Sequence, residues 1–129
     1  MRIEHLALWT DDMERCVQFY VTYFGASVGD RYVNAAKGFE SCFLTFSSGA
    51  RLEVMRTTTL SPVPLPAGGQ RMGLTHFAMS VGSERDVDAL TQRLKSDGYA
   101  LLDGPRRTGD GYYESVVLDP DGNRIEITV

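Results

Sequence analysis

Leu74-Thr75-His76-Phe77-Ala78-Met79-Ser80-Val81 restates the opening of the chain, Ile3-Glu4-His5-Leu6-Ala7-Leu8-Trp9-Thr10. Each stretch carries one histidine near the start of an apolar, strand-like run, and each leads into a helical pattern. The chain has two histidines in all, and they occupy matching places in the two copies. A repeat of this length decides the fold before any local reading does.

The repeat continues past the histidines. Ser48-Gly49-Ala50-Arg51-Leu52-Glu53-Val54 is echoed by Asp121-Gly122-Asn123-Arg124-Ile125-Glu126-Ile127. In both, a glycine turn leads into an arginine, an aliphatic, a glutamate and another aliphatic. His5 and Glu53 lie 48 positions apart, and His76 and Glu126 lie 50 apart. The sequence therefore holds two modules, each with a histidine near its start and a glutamate near its end.

Local patterns fill in the modules. Ile3 to Thr10 reads as a strand with Ile3, His5, Ala7 and Trp9 on one face and Leu6 and Leu8 on the other. Asp11 or Asp12 is the expected N-cap of a helix with Met13, Cys16, Val17, Tyr20 and Phe24 at helical spacing, closed at Gly25. Ala26 to Asp30 reads as a short strand, 31–40 as loop, and Ser41 to Phe46 with Arg51 to Met55 as a hairpin. In the second copy, Leu74 to Val81 reads as a strand. Ser83 and Asp86 form a capping box for a helix bearing Val87, Leu90 and Leu94, which ends at Gly98. Ala100 to Asp103 is read as a strand, Gly104 to Gly111 as a loop, and Glu114 to Leu118 with Arg124 to Thr128 as the closing hairpin.

The expected fold is thus α+β: two tandem βαβββ modules whose curved mixed sheets surround a metal-binding cavity. A chain of 129 residues fits a single domain over 1–129, with modules 1–55 and 74–129. Residues 56–73 form the linker, stiffened by Pro62, Pro64 and Pro66 and loosened by Gly68 and Gly69.

Composition narrows the function classes. A net charge of −4 supplies no basic footprint for nucleic acid. The apolar runs fall well short of the roughly 20 residues that cross a bilayer, and the start of the chain lacks a signal-peptide pattern. Cys16 and Cys42 have no metal-type spacing and read as buried thiols, so a cytoplasmic location is expected.

Strand alternation decides which groups can meet. His5, Ala7 and Trp9 share a face, as do His76, Ala78 and Ser80. Glu53 and Glu126 are each flanked by aliphatic residues, so their carboxylates point away from the helix-facing core. Taken singly, a strand histidine is usually a hydrogen-bonded structural residue and an edge glutamate is usually only solvated. Two such pairs at equivalent positions are not explained that way. Converging carboxylates are costly without a cation, so His5, Glu53, His76 and Glu126 are read as ligands of one divalent metal. Imidazole and carboxylate donors suit nickel, cobalt, zinc or iron(II), and leave coordination positions open for water or substrate.

With these residues in hand, the sequence resembles the vicinal oxygen chelate superfamily. That group includes glyoxalase I, extradiol dioxygenases, methylmalonyl-CoA epimerase and the fosfomycin and bleomycin resistance proteins. The likeness spans essentially the whole chain. It rests on His5, Phe19-Tyr20 with Phe24-Gly25, Leu52-Glu53-Val54, Thr75-His76-Phe77-Ala78, Asp119-Pro120-Asp121-Gly122-Asn123 and Ile125-Glu126. The resemblance implies that His5, Glu53, His76 and Glu126 are the metal ligands. It also implies eight strands in two half-barrel sheets and a homodimer, sometimes with modules exchanged between chains. A glutamate at position 53 is similar to glyoxalase I (lactoylglutathione lyase), whereas the dioxygenases typically use only the two histidines and the last glutamate. The departures fall elsewhere: Trp9 stands where bacterial glyoxalase I has a glutathione-binding arginine, and Arg56-Thr57-Thr58-Thr59 lacks the expected asparagine. Arg107 only loosely matches the basic residue after Gly-Pro.

The leading expectation is a metal-dependent lyase or isomerase on a small α-oxo or hemithioacetal compound. Two vicinal substrate oxygens would chelate the metal, making the adjacent C–H more acidic and stabilising an enediolate. Glu126 or Glu53 would shuttle the proton, and Trp9 and Arg107 are the candidate substrate contacts. Two alternatives are an iron(II) extradiol-type dioxygenase and a protein that sequesters a drug or antibiotic.

Overall fold

A computed structural model describes residues 1–61, 69–70 and 72–129. Pro62, Pro64, Pro66 and Gly68 of the expected linker lie outside the described residues. The chain divides into two units, Met1–Val63 and Pro64–Val129. The fold is α+β, two tandem modules each built from a mixed sheet and one helix.

The first unit runs β1 (His5–Trp9), α1 (Met13–Phe24), β2 (Ser27–Val28), β3 (Tyr32–Asn34), a 3-10 turn (Ala35–Lys37), β4 (Phe39–Thr45) and β5 (Arg51–Thr57). The sheet order is β1-β5-β4-β2, with β3 also paired to β4. β1 and β5 run parallel and the remaining pairs antiparallel. Asp12 caps α1 by accepting from the Arg15 amide at 3.1 Å, and Gly25 closes it in the left-handed region. The helix buries Met13, Cys16, Phe19 and Tyr20, and the sheet buries Leu8, Cys42, Leu44, Leu52 and Val54. Those sheet residues alternate with the ones that carry chemistry, so burial of one row fixes the outward aim of the other.

Two expectations are corrected here. Residues 31–40 are not loop throughout: Tyr32–Asn34 add a strand against β4, which makes nine strands among the described residues where the resemblance implies eight. β5 also extends through Thr57, into the stretch assigned to the linker.

The second unit runs β6 (Phe77–Ser80), α2 (Glu84–Ser96), β7 (Leu101–Arg107), β8 (Tyr113–Leu118) and β9 (Arg124–Thr128), in the sheet order β6-β9-β8-β7. β6 begins at Phe77, three residues later than expected, so His76 sits immediately before the strand. Ser83 caps α2 by accepting from the Asp86 amide. α2 buries Val87, Thr91 and Leu94, and the sheet buries Val117, Ile125 and Ile127. Buried Thr91 meets the Ser115 hydroxyl at 2.6 Å. β7 is longer than predicted: it continues through Gly104-Pro105 to Arg107, and its register against β8 shifts twice on the way. Cys16 and Cys42 are buried thiols, not joined in a disulfide.

Candidate metal centre

In the first unit the parallel ladder places Ala7 directly opposite Glu53, which puts His5 two positions back on the same face. The His5 Nε2 atom stands 3.8 Å from Glu53 Oε2. On the other side of the ring, Nδ1 meets Glu4 Oε2 at 2.6 Å. Arg51 donates to the second Glu4 oxygen through Nε at 2.8 Å. The hydrogen bond to His5, followed by that to Arg51, holds the Glu4 carboxyl below its usual range. A carboxylate at Nδ1 orients the ring so that Nε2 is the atom turned toward Glu53. Phe43, directly across from Glu53, sets its ring edge-on to His5 at 5.4 Å and lies beneath the Arg51 guanidinium at 3.9 Å.

The second unit repeats the histidine–glutamate pair. Ala78 lies directly opposite Glu126, and His76 Nε2 stands 3.3 Å from Glu126 Oε2. The turn before β9 is pinned by buried Asp119, whose Oδ1 accepts from the Asp121 and Asn123 amides at 3.0 and 2.8 Å. That turn sets the register which aims Glu126 out of the core. Beside it stands Glu114, a residue the sequence reading passed over, with its carboxyl hydrogen-bonded to that of Glu126. Burial, then the charge of Glu126, pushes Glu114 above the usual carboxylate range, and Arg106 at 3.9 Å pulls the other way. Alternation along Tyr113 to Leu118 was the available signal, since it sets Glu114 on the face opposite buried Ser115 and Val117.

Each unit thus brings its own histidine and glutamate together. Among the described residues, no group of three or more His, Cys, Asp or Glu side chains is gathered closely enough to hold a metal ion. The geometry within each pair can still be tested against an ion. Two ligand atoms about 2.1 Å from a metal, at roughly 90 to 110° to one another, stand about 3.0 to 3.4 Å apart. The His76–Glu126 separation falls inside that range, and His5–Glu53 lies a few tenths of an ångström beyond it. The His76–Glu126 pair fits a divalent ion as it stands, and the His5–Glu53 pair would have to close by a few tenths of an ångström to do so.

Trp9 is half exposed on the face that carries His5 and Glu53. Arg107 is placed differently: its guanidinium pairs with Glu84 at the start of α2 and donates to the Gly111 carbonyl at 3.0 Å. It would have to leave Glu84 to reach a substrate. Arg106, which follows Asp103 at 2.6 Å, is the basic side chain near Glu114.

Known proteins share this architecture. The chain is 37% identical over 60 residues to the uncharacterized protein YqjT of Bacillus subtilis, a match covering 44% of this chain and 47% of that protein. The match thus spans about half the length of that relative. It is 28% identical over 134 residues to the uncharacterized protein PA2024 of Pseudomonas aeruginosa, covering 98% and 86% of the two chains. The trypanothione-dependent glyoxalase I of Leishmania major has the same fold, with a TM-score of 0.78 at 20% identity over 99% of this chain and 86% of its own. The family model for the glyoxalase/bleomycin resistance protein/dioxygenase superfamily matches residues 2–127. From its repeated sheets to its paired histidines and glutamates, this chain belongs to that superfamily.

Proposed function

We propose that the protein is a metal-dependent enzyme of glyoxalase I type, acting on a small α-oxo or hemithioacetal substrate. The observation that carries the reading is the repeated pair, His5 with Glu53 and His76 with Glu126, each separated by about the distance between neighbouring ligands. His5, Glu53, His76 and Glu126 would supply the ligands of a divalent ion, of nickel, cobalt or zinc. When bound, the ion polarises two adjacent substrate oxygens and makes the neighbouring C–H more acidic.

The protein's own groups do the rest. Glu4 orients the His5 ring and keeps Nε2 turned toward Glu53. Glu126 or Glu53 takes the proton from the substrate carbon and returns it to the neighbouring carbon, as base and then acid. Ala7 and Ala78, small residues directly opposite the two glutamates, leave room for the substrate above each. A glutamate at position 53 favours this reading over an iron(II) dioxygenase, which would tolerate its loss. The working form is a cytoplasmic homodimer, a claim that light scattering at micromolar concentration would sink by finding a monomer.

The test uses protein stripped of metal and reloaded separately with nickel, cobalt, zinc and iron(II). Isomerisation of the methylglyoxal–glutathione hemithioacetal and metal affinity by calorimetry are followed together. Glu53→Gln and Glu126→Gln should each lower metal affinity or turnover by orders of magnitude. Wild-type behaviour from both variants would overturn the shared site.

A further inference from the structure

The face of the first sheet that carries His5 and Glu53 continues into a row of aromatic side chains. Trp9 pairs with Met55 in the ladder, one step of the pleat beyond Ala7 and Glu53. Met55 pairs in turn with Ser41, and Ser41 with Tyr32, so all four lie in one row across the sheet. Phe39 lies in the next row, opposite Thr57. Its ring packs edge-to-face on Trp9 at 6.2 Å and 87°, and Tyr32 leans on its other side at 6.2 Å. Trp9 remains 47% exposed and Tyr32 56% exposed. The three rings, set edge to face and tilted to one another, form an aromatic shelf one residue pair from the candidate ligands.

Three guanidiniums of this unit are already paired. Arg51 is held by Glu4, Arg56 by Glu40, and Arg31 by Glu40 and Glu14. A thiol that relies on its carboxylates, such as glutathione, would find the Arg31, Arg51 and Arg56 guanidiniums already engaged. A planar aromatic group needs only the exposed faces of Trp9 and Tyr32, against which stacked or edge-on rings gain more than area burial alone.

We infer that Trp9, Phe39 and Tyr32 form a subsite for an aromatic ring. The substrate is then an aryl-substituted oxo or hydroxy compound, with its ring on the shelf and its adjacent oxygens toward His5 and Glu53. This rests on the metal reading above for the placement of the oxygens, but not for the ring.

Mandelate and lactate separate the two ideas, since they share the α-hydroxy acid end and differ by a phenyl for a methyl. Trp9 is the sole tryptophan of the chain, so its fluorescence reports occupancy of the shelf. Calorimetry with the full chain, cobalt-loaded and metal-free, should show mandelate binding at least about tenfold tighter than lactate. Mandelate alone should quench Trp9. Trp9→Leu and Phe39→Leu keep apolar bulk while removing a ring; both should erase the preference and leave cobalt affinity unchanged. If cobalt fails to bind but the preference and its dependence on Trp9 persist, the subsite stands and the metal reading falls. Equal affinity for the two acids, or a preference that survives both substitutions, overturns the subsite whatever cobalt does.

Discussion

Glu114 lies diagonally across the antiparallel ladder of β8 and β9 from Glu126, on the same face of the sheet. Two carboxyl groups so placed cannot both ionise without cost, and Glu114, the more buried of the two, is held above its ordinary value of 4.5. Its ionised form is penalised in the fold. The stability it allows is therefore complete below the ordinary value and is lost as pH rises through the raised one. Glu114→Gln keeps a hydrogen-bonding group beside Glu126 and removes the charge. In chelator-treated protein at pH 7 its melting temperature should exceed that of the wild type, and the gain should vanish below about pH 4. An unchanged melting temperature at pH 7 would show that Glu114 is not strained by its neighbour.

Glu4→Gln tests the support of His5 without touching a ligand. An amide at that place no longer holds the ring at Nδ1 by charge, and loss of such outer partners typically costs about 10- to 100-fold in metal affinity. Calorimetric titration with cobalt should show a loss in that range, smaller than that for Glu53→Gln. Equal affinity for Glu4→Gln and the wild type would remove Glu4 from the site.

Gly104 marks the tightest backbone approach in the second sheet. At φ +77°, an added Cβ would meet the Glu114 carbonyl oxygen at 2.5 Å and the Ser115 Cα at 2.9 Å, and neither backbone atom can swing aside. Gly104→Ala should destabilise the protein by about 2 to 4 kcal/mol in urea denaturation. Gly111→Ala is the control: φ is also positive, at +98°, but nothing lies within 4 Å, so the expected cost is about 1 to 2 kcal/mol. Similar losses at both positions would mean that the backbone angle, not the contact, constrains Gly104.

Burial pushes the Cys42 thiol above its ordinary value of 9.0. A raised thiol keeps its full contribution below that value and loses it as pH climbs through the higher one. Native protein should resist iodoacetamide at Cys42 at pH 8, while urea-unfolded protein reacts at both cysteines. Cys42→Ala should flatten the fall in stability at alkaline pH. Fast labelling of native Cys42 would contradict its place beneath α1.

Much of this architecture was written in local pattern. The repeated histidine strands, the caps at Asp12 and Ser83 and the aliphatic–glutamate–aliphatic strands each carry their own short-range signal. Residues 32–34 carry none: Tyr32 and Val33 are exposed, and the strand exists only because β4 lies alongside. Gly104-Pro105 spells a loop, yet shifts in register let the strand pass through it. The site divides the same way. Alternation placed His5 and Glu53 on one face, but the bond from Glu4, the acid at Glu114 and the pairing of Arg107 with Glu84 depend on which neighbours fold alongside.

The order of strands gives the two ligand types different mechanical footing. Glu53 and Glu126 lie on β5 and β9, each hydrogen-bonded to a strand on both sides. His5 opens β1 and His76 directly precedes β6, the strands outermost in their sheets and tethered from one side only. Each pair joins a stiff carboxylate to a compliant imidazole. Any adjustment to an ion's radius would fall to the histidines, and amide hydrogens near His5 and His76 should exchange faster than those near Glu53 and Glu126. Such asymmetry would let one scaffold accept metals of different size without rebuilding its acids.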